Sequence, residues 1–216
     1  MLRPSAPEWW ESMATRIPLT PDDERNVLHA ISGWKLRNRC LIEFGLRTGF
    51  RASEIGSLTI GQIWNGTRVR DEVTISRRYL KGGRGLHRQG VRSRTVPLAP
   101  AVRTLIHDYI QERLRRNPNL ASHEPVFRST QTAGGIGRWM INALVKRACA
   151  QAGLPQNGRY GSHTLRKSFA QRIYRATGHD INLTRAALGH RDIATSQRYL
   201  TVSEDEIRAA ILAVAI

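Results

Sequence analysis

Acidic side chains are scarce in this chain of 216 residues: 17 Asp and Glu stand against 34 Lys and Arg, a formal charge of +17. A compact protein with that much charge of one sign repels itself unless a polyanion is its working partner. Nucleic acid is the expected one, because each neutralised phosphate releases counterions and adds affinity. An anionic membrane surface is the rival. The arginines, however, run through the folded-looking segments instead of gathering on one amphipathic helix. Cysteine is scarce as well. Cys40 and Cys149 lie in apolar, helical patterns with no CxxC or Cys/His spacing, so they read as buried thiols and not as a disulfide or a metal site. Long apolar runs are missing: none approaches the roughly 18 residues of a membrane span. The first twenty residues mix Trp9 and Trp10 with Glu8 and Glu11 and have no signal-peptide core.

What is present suits one good-sized domain with a short appendage; 40% of the residues are hydrophobic. Residues 1–19, with Pro4, Pro7 and Pro18, read as a lead-in, and 20–216 as the domain. Thr20-Pro21-Asp22-Asp23 supplies an N-cap, a first-turn proline and first-turn acids. A second helix is predicted from Leu36 to Thr48, ended by Gly49, and a short third from Arg51 or Ser53 through Leu58. The period then changes. Val73 and Ile75 alternate with polar neighbours and Thr95–Leu98 closes a second strand, with a Gly- and Arg-rich turn between them. A long helix from Ala99 carries Val102, Leu105, Ile106, Tyr109 and Ile110 on one face, and another carries Ile136, Met140, Ala143, Leu144 and Ala148. Ser162 is the expected N-cap of the helix bearing His163 and Arg166, which Gly178 stops. Ser203–Glu206 is a capping box for a last helix within 203–216, striped by Ile207, Ala210, Ile211 and Val214. The expected class is mainly α with one small antiparallel β-sheet (α+β).

Tyr199 follows His190 by nine residues. A phenol of pKa about 10 is a weak nucleophile at neutral pH. To attack a phosphodiester it needs cations around the non-bridging oxygens, where charge builds in the transition state. Arginine fits, since its rigid fork grips phosphate twice and stays charged. Arg51 and Arg166 are the two expected clamps. His163, three residues before Arg166, shares a proton with the phenol or bonds a phosphate oxygen, and His190 is a second hydrogen-bonding candidate. Lys81, on the turn, is placed to protonate the leaving 5′-oxygen. All these cations are side chains, so no metal and no cofactor is expected. Each piece has a bland reading alone: Arg51 with Glu54 is also an ordinary i, i+3 ion pair, and a lone tyrosine is usually half-buried core. Their joint occurrence, in order, is specific.

The chain resembles the tyrosine recombinases, the phage integrase family. Gly49-Phe-Arg51-Ala-Ser-Glu54-Ile-Gly-Ser-Leu58 looks like the family's first arginine box. Tyr79-Leu-Lys81-Gly-Gly through Arg94-Thr-Val-Pro97-Leu98 looks like its β-hairpin lysine segment. His163-Thr-Leu-Arg166, Leu188-Gly189-His190 and Tyr199 match the second box. The resemblance implies the integrase catalytic-domain fold and attack giving a 3′-phosphotyrosine and a free 5′-hydroxyl. It also implies pairwise strand exchange through a Holliday junction, without ATP or metal. Its usual helical core-binding domain has no counterpart in residues 1–19. Two expectations follow: a short member like the fimbrial phase-variation recombinases, or a partner recombinase or accessory protein supplying the other half of the clamp.

Double-stranded DNA is the expected partner, held chiefly through phosphates. Candidates are Arg77, Arg78, Arg84, Arg88 and Arg92 of the hairpin, with Arg138, Lys146 and Arg147 of a helix whose Arg138 reads a base edge. The last helix is expected to dock on a neighbouring protomer, building a cyclic homo-tetramer on DNA from a free monomer. A cytoplasmic, nucleoid-associated protein of a bacterium or its mobile element is the expected setting. The rivals are a type IB topoisomerase-like activity and a non-catalytic DNA-binding regulator of the same fold.

Overall fold

The computed structural model describes residues 16–75, 93–189, 193–197, 200, 208 and 212. The chain divides into two compact units, Met1–Phe169 and Ala170–Ile216, and the boundary falls inside one helix. Helices dominate, as the periodicity predicts, with one two-stranded antiparallel sheet.

In the first unit, helix α1 (Pro21–Ala30) starts at a true capping box. Thr20 Oγ1 accepts from the Asp23 amide, Asp23 Oδ2 accepts from the Thr20 amide, and Pro21 takes the first helical position. Helix α2 (Leu36–Thr48) is the central element, burying Cys40, Leu41, Ile42, Phe44 and Leu46. Gly49 ends it in the left-handed region at φ 62°, a conformation that costs glycine nothing. The short helices α3 (Ala52–Ser57) and α4 (Ile60–Ile63) follow. Strands β1 (Glu72–Ile75) and β2 (Arg94–Pro97) pair with Val73 opposite Val96 and Ile75 opposite Arg94. Helices α5 (Pro100–Arg116), α6 (Arg138–Gln151) and the start of α7 (Ser162–Ala176) complete the unit.

Aromatic packing joins these elements around α2. Phe44 meets Phe50 edge-on at 5.2 Å and Phe127 at 5.9 Å, and Tyr109 stacks on Phe127 while its hydroxyl donates to Val126 O at 2.9 Å. Cys40 and Cys149 are free and buried, as expected. Burial pushes the Cys40 thiol far up and the Cys149 thiol up to about 11, so both stay protonated and inert.

Two local expectations need correction. The inward stripe of α6 is Ile141, Leu144, Val145, Ala148 and Cys149. Ala143 faces solvent, because the helix begins at Arg138 and Ile136 packs from the loop before it. Ser162 is the first helical residue of α7 and not its N-cap. Its amide is satisfied from another helix, by Asn142 Oδ1 at 3.1 Å, and Thr164 Oγ1 accepts from the Gly161 amide.

The second unit holds the remainder of α7, then α8 (Ile181–Leu188) and α9 (Ile193–Gln197). Gly178, at φ 63°, follows α7, as predicted. Asp180 Oδ1 caps α8 by accepting from the Asn182 and Leu183 amides, and Gly189 ends it at φ 63°. The predicted stripe of the last helix lies outside the described residues; Arg208 and Leu212 are helical and exposed. Among the described residues, no helix is long and apolar enough to cross a membrane.

Candidate active site

The close approach of α7 to α2 fixes the geometry of the site. Gly45 and Gly49 stand four residues apart on α2, facing Leu165 and Phe169, four apart on α7. A β-carbon at Gly45 would lie 2.6 Å from Leu165 Cδ1, and one at Gly49 would enter the Phe169 ring. Only glycine lets the helices approach this closely. The approach brings Arg166 to the end of α2, where its Nη1 donates to Gly49 O at 2.6 Å. Arg166 is wholly buried, at 0% exposure.

Arg51 arrives at the same corner from the other side of Gly49. It is the N-cap residue of α3, part-buried with its side chain 23% exposed. Glu54, at 0% exposure, holds it twice: Oε2 accepts from the Arg51 amide and Oε1 from Arg51 Nη1, both at 2.7 Å. The ion pair weighed as a bland reading therefore exists, and it orients the guanidinium. A third arginine, to which residue spacing assigns no role, lies close by. Arg94 projects from the inner face of β2, with Nη2 donating to Thr48 O at 3.1 Å and Nη1 4.0 Å from Glu54 Oε2. Its guanidinium carbon sits 5.4 Å from the centre of the Phe50 ring. Burial lowers its pKa from 12.5 to about 10, with Glu54 opposing the shift, so it remains a cation at neutral pH. The signal was legible: Arg94 occupies an inward position in the alternation with Val96 and Leu98.

His163, in the first turn of α7, is exposed. Its pKa lies below the ordinary 6.5, first because surrounding protein desolvates it, then because Arg166, Arg51, Arg16 and Lys167 repel a further positive charge. The ring is therefore neutral at pH 7, able to accept on one nitrogen and donate from the other. Arg51, His163 and Arg166 thus share one corner. Lys81, His190 and Tyr199 lie outside the described residues, as do Arg77, Arg78, Arg84, Arg88 and Arg92.

Arg138 begins α6, and its guanidinium lies 6.0 Å from the ring centre of Trp139, which is 80% exposed. Gly137 offers no side-chain cap and the first turn holds no acid, which leaves amides free for an anion. Lys146 and Arg147 are exposed farther along the helix, and Arg147 covers the Trp34 ring at 5.2 Å. Among the described residues, no group of three or more His, Cys, Asp or Glu is arranged to hold a metal ion.

The family model described as the phage integrase family matches residues 18–206. The chain belongs to that family. It is 26% identical over 196 residues to a protein named tyrosine recombinase XerC from Caldanaerobacter subterraneus, covering 90% of this chain and 50% of that protein. With a tyrosine recombinase XerD from Lacticaseibacillus casei it shares 28% over 177 residues, covering 81% and 53%. The chain thus spans about half the length of these curated relatives. Among solved structures, the XerH site-specific recombinase bound to a palindromic difH substrate, a post-cleavage complex, superimposes with a TM-score of 0.68 at 26% identity. That match covers 92% of this chain and 53% of the other. XerA recombinase superimposes with a TM-score of 0.71 at 19% identity, covering 100% and 67%, which shows the shared fold.

Proposed function

We propose that this protein is a site-specific DNA recombinase that cuts and rejoins DNA through a 3′-phosphotyrosine intermediate, with Tyr199 as nucleophile. The observation that carries the reading is the convergence of Arg51, His163 and Arg166 on the turn at Gly49, from boxes separated by more than a hundred residues. Two arginine forks at one corner suit a phosphate whose charge rises as a fifth oxygen approaches. The neutral His163 ring accepts the phenolic proton or bonds a phosphate oxygen. Arg51 and Arg166 hold the scissile phosphate, His190 adds a hydrogen bond, and Lys81 protonates the departing 5′-oxygen. The new P–O bond to tyrosine conserves the energy of the broken one, so rejoining is the same attack reversed by a 5′-hydroxyl.

DNA is held by Arg138 and the open start of α6, by Lys146 and Arg147, and by the hairpin arginines Arg77, Arg78, Arg84, Arg88 and Arg92. Residues 20–216 act as the breaking and rejoining domain. The segment 203–216 docks on a neighbouring copy in a tetramer assembled on DNA, at work in the bacterial cytoplasm on the nucleoid. A partner recombinase or accessory protein shares the grip on DNA. The relatives named for recombination and the DNA-bound neighbour support this reading.

The test is covalent capture. Wild type and Tyr199→Phe are expressed in a bacterial host carrying the source genome, cells are lysed in SDS, and the DNA still attached to protein is sequenced. The expected result is enrichment of one short inverted-repeat locus with wild type alone, while Tyr199→Phe keeps its affinity for duplex. Normal duplex binding with no attached DNA from either protein, even with a partner recombinase added, would make the chain a non-catalytic DNA-binding regulator.

A further inference from the structure

Arg94 is an expensive residue where it stands. It is nine-tenths buried, yet its Nε and Nη1 have no hydrogen-bond partner among the described residues. Its alkyl stem and its contact with Phe50 would be supplied as well by an apolar side chain, with no donors left unmet. Burying a cation whose Nε and Nη1 meet no hydrogen-bond acceptor among the described residues makes physical sense if another state of the protein uses them.

The surroundings identify that state. Glu54 is fully buried and, in the free protein, its carboxylate is held by Arg51. A phosphate arriving at Arg51 competes for the same guanidinium. It also brings a second negative charge close to Glu54. Arg51 and Arg166 together balance Glu54 and the phosphate in total charge, but an Arg51 drawn to the phosphate leaves the buried Glu54 carboxylate without its nearest cation, and Arg94 is the other cation set against it among the described residues. Arg94 Nη1 waits 4.0 Å from Glu54 Oε2, beyond hydrogen-bond reach and without another acceptor among the described residues. Its Nη2 is anchored on Thr48 O, at the negative end of the α2 dipole. A small shift of the Glu54 carboxylate closes the gap.

We infer that Arg94 is a positioning residue: it takes over Glu54 as the scissile phosphate draws on Arg51, so that Arg51 is released to the phosphate without leaving a buried carboxylate uncompensated. This rests on the reading that Arg51 binds that phosphate. Arg94 itself touches no reacting atom.

The test uses the full chain and the duplex recovered by covalent capture, with single-turnover cleavage and duplex affinity measured separately. Arg94→Met should slow cleavage on the order of tenfold to a hundredfold and change the duplex Kd by less than about threefold, since the loss falls on the transition state. Arg94→Lys, which keeps the charge near Glu54, should recover part of the rate. Adding Glu54→Gln to Arg94→Met should also raise the rate above that of Arg94→Met, because a neutral amide needs no counter-charge. Cleavage by Arg94→Met at the wild-type rate would overturn the inference and leave the recombinase reading standing. So would a slow Arg94→Met that neither Arg94→Lys nor the added Glu54→Gln improves, the pattern of a packing defect. Wild type forming no covalent product on that duplex would sink the parent reading and this inference together.

Discussion

Both ends of α2 are ringed by arginines, and they hold them in opposite ways. At the C-terminal end, Arg94 and Arg166 are buried, and each donates to a successive backbone carbonyl, Thr48 O and Gly49 O. The helix dipole attracts cations there. At the N-terminal end, Lys35, Arg37, Arg128 and Arg147 line an open cleft of about 900 Å³. No acid occupies that first turn and no side chain caps it, so the dipole repels the cations beside it. Arg37 leans on neutral acceptors, Asn38 Oδ1 and Arg128 O. An arginine fixed by backbone carbonyls in a packed corner can serve chemistry, which needs an exact position. On the open rim Arg37 is bonded too, but it is held in a cleft open to solvent and not in a packed corner.

Three substitutions sharpen that contrast. The largest effect is expected at the buried end. Arg166→Ala should lower the single-turnover cleavage rate on the order of 10²–10³-fold, the cost of one fixed donor to a transition-state oxygen, with a much smaller change in duplex affinity. Equal losses in rate and affinity, measured on the same duplex, would remove Arg166 from the clamp and blur the distinction between the two ends.

A middle-sized effect belongs to the turn that holds the buried end together. Gly49→Ala puts a β-carbon into the Phe169 ring at a positive φ, and should destabilise the fold by about 1–3 kcal/mol. Urea unfolding measures it; a loss within experimental error would mean α7 can retreat from α2 without penalty.

The smallest effect is expected at the open end. Lys35→Glu exchanges a repelled cation for an attracted anion at the N-terminus of α2, and should stabilise the protein by about 0.3–1 kcal/mol at low salt. The gain should fade as salt is raised. Destabilisation in the same urea titration would show that the cleft's cations are held by something stronger than the dipole repels.

The elements were largely legible in the sequence because their signals are local. Thr20-Pro21 capping α1, Gly49 ending α2 and Gly178 stopping α7 act within one turn of chain, and all three appear where the pattern puts them. The inward face of α6 departs from the apolar period at Ala143, because an apolar residue in the preceding loop, Ile136, packs into the same core and mimics that period. The start of α7 is not legible locally, because the acceptor for the Ser162 amide, Asn142, comes from α6, and no local pattern reports a bond between helices. The site divides the same way. Residue type and spacing make Arg51, His163 and Arg166 the candidates, and the three lie near one another in the fold. Arg94 could not be given a role, since one arginine among many cations gains meaning only from the carboxylate it faces.

The helical class, the small sheet and the cationic character are set along the chain before any packing. Each of these follows from periodicity, capping or composition over a few neighbouring residues. That Gly45 and Gly49 admit Leu165 and Phe169, that Arg166 thereby reaches Gly49 O, and that Glu54 lies between Arg51 and Arg94 emerges on folding. Those contacts join positions far apart along the chain. They exist because buried polar and charged groups must find their partners in whatever the packing brings beside them.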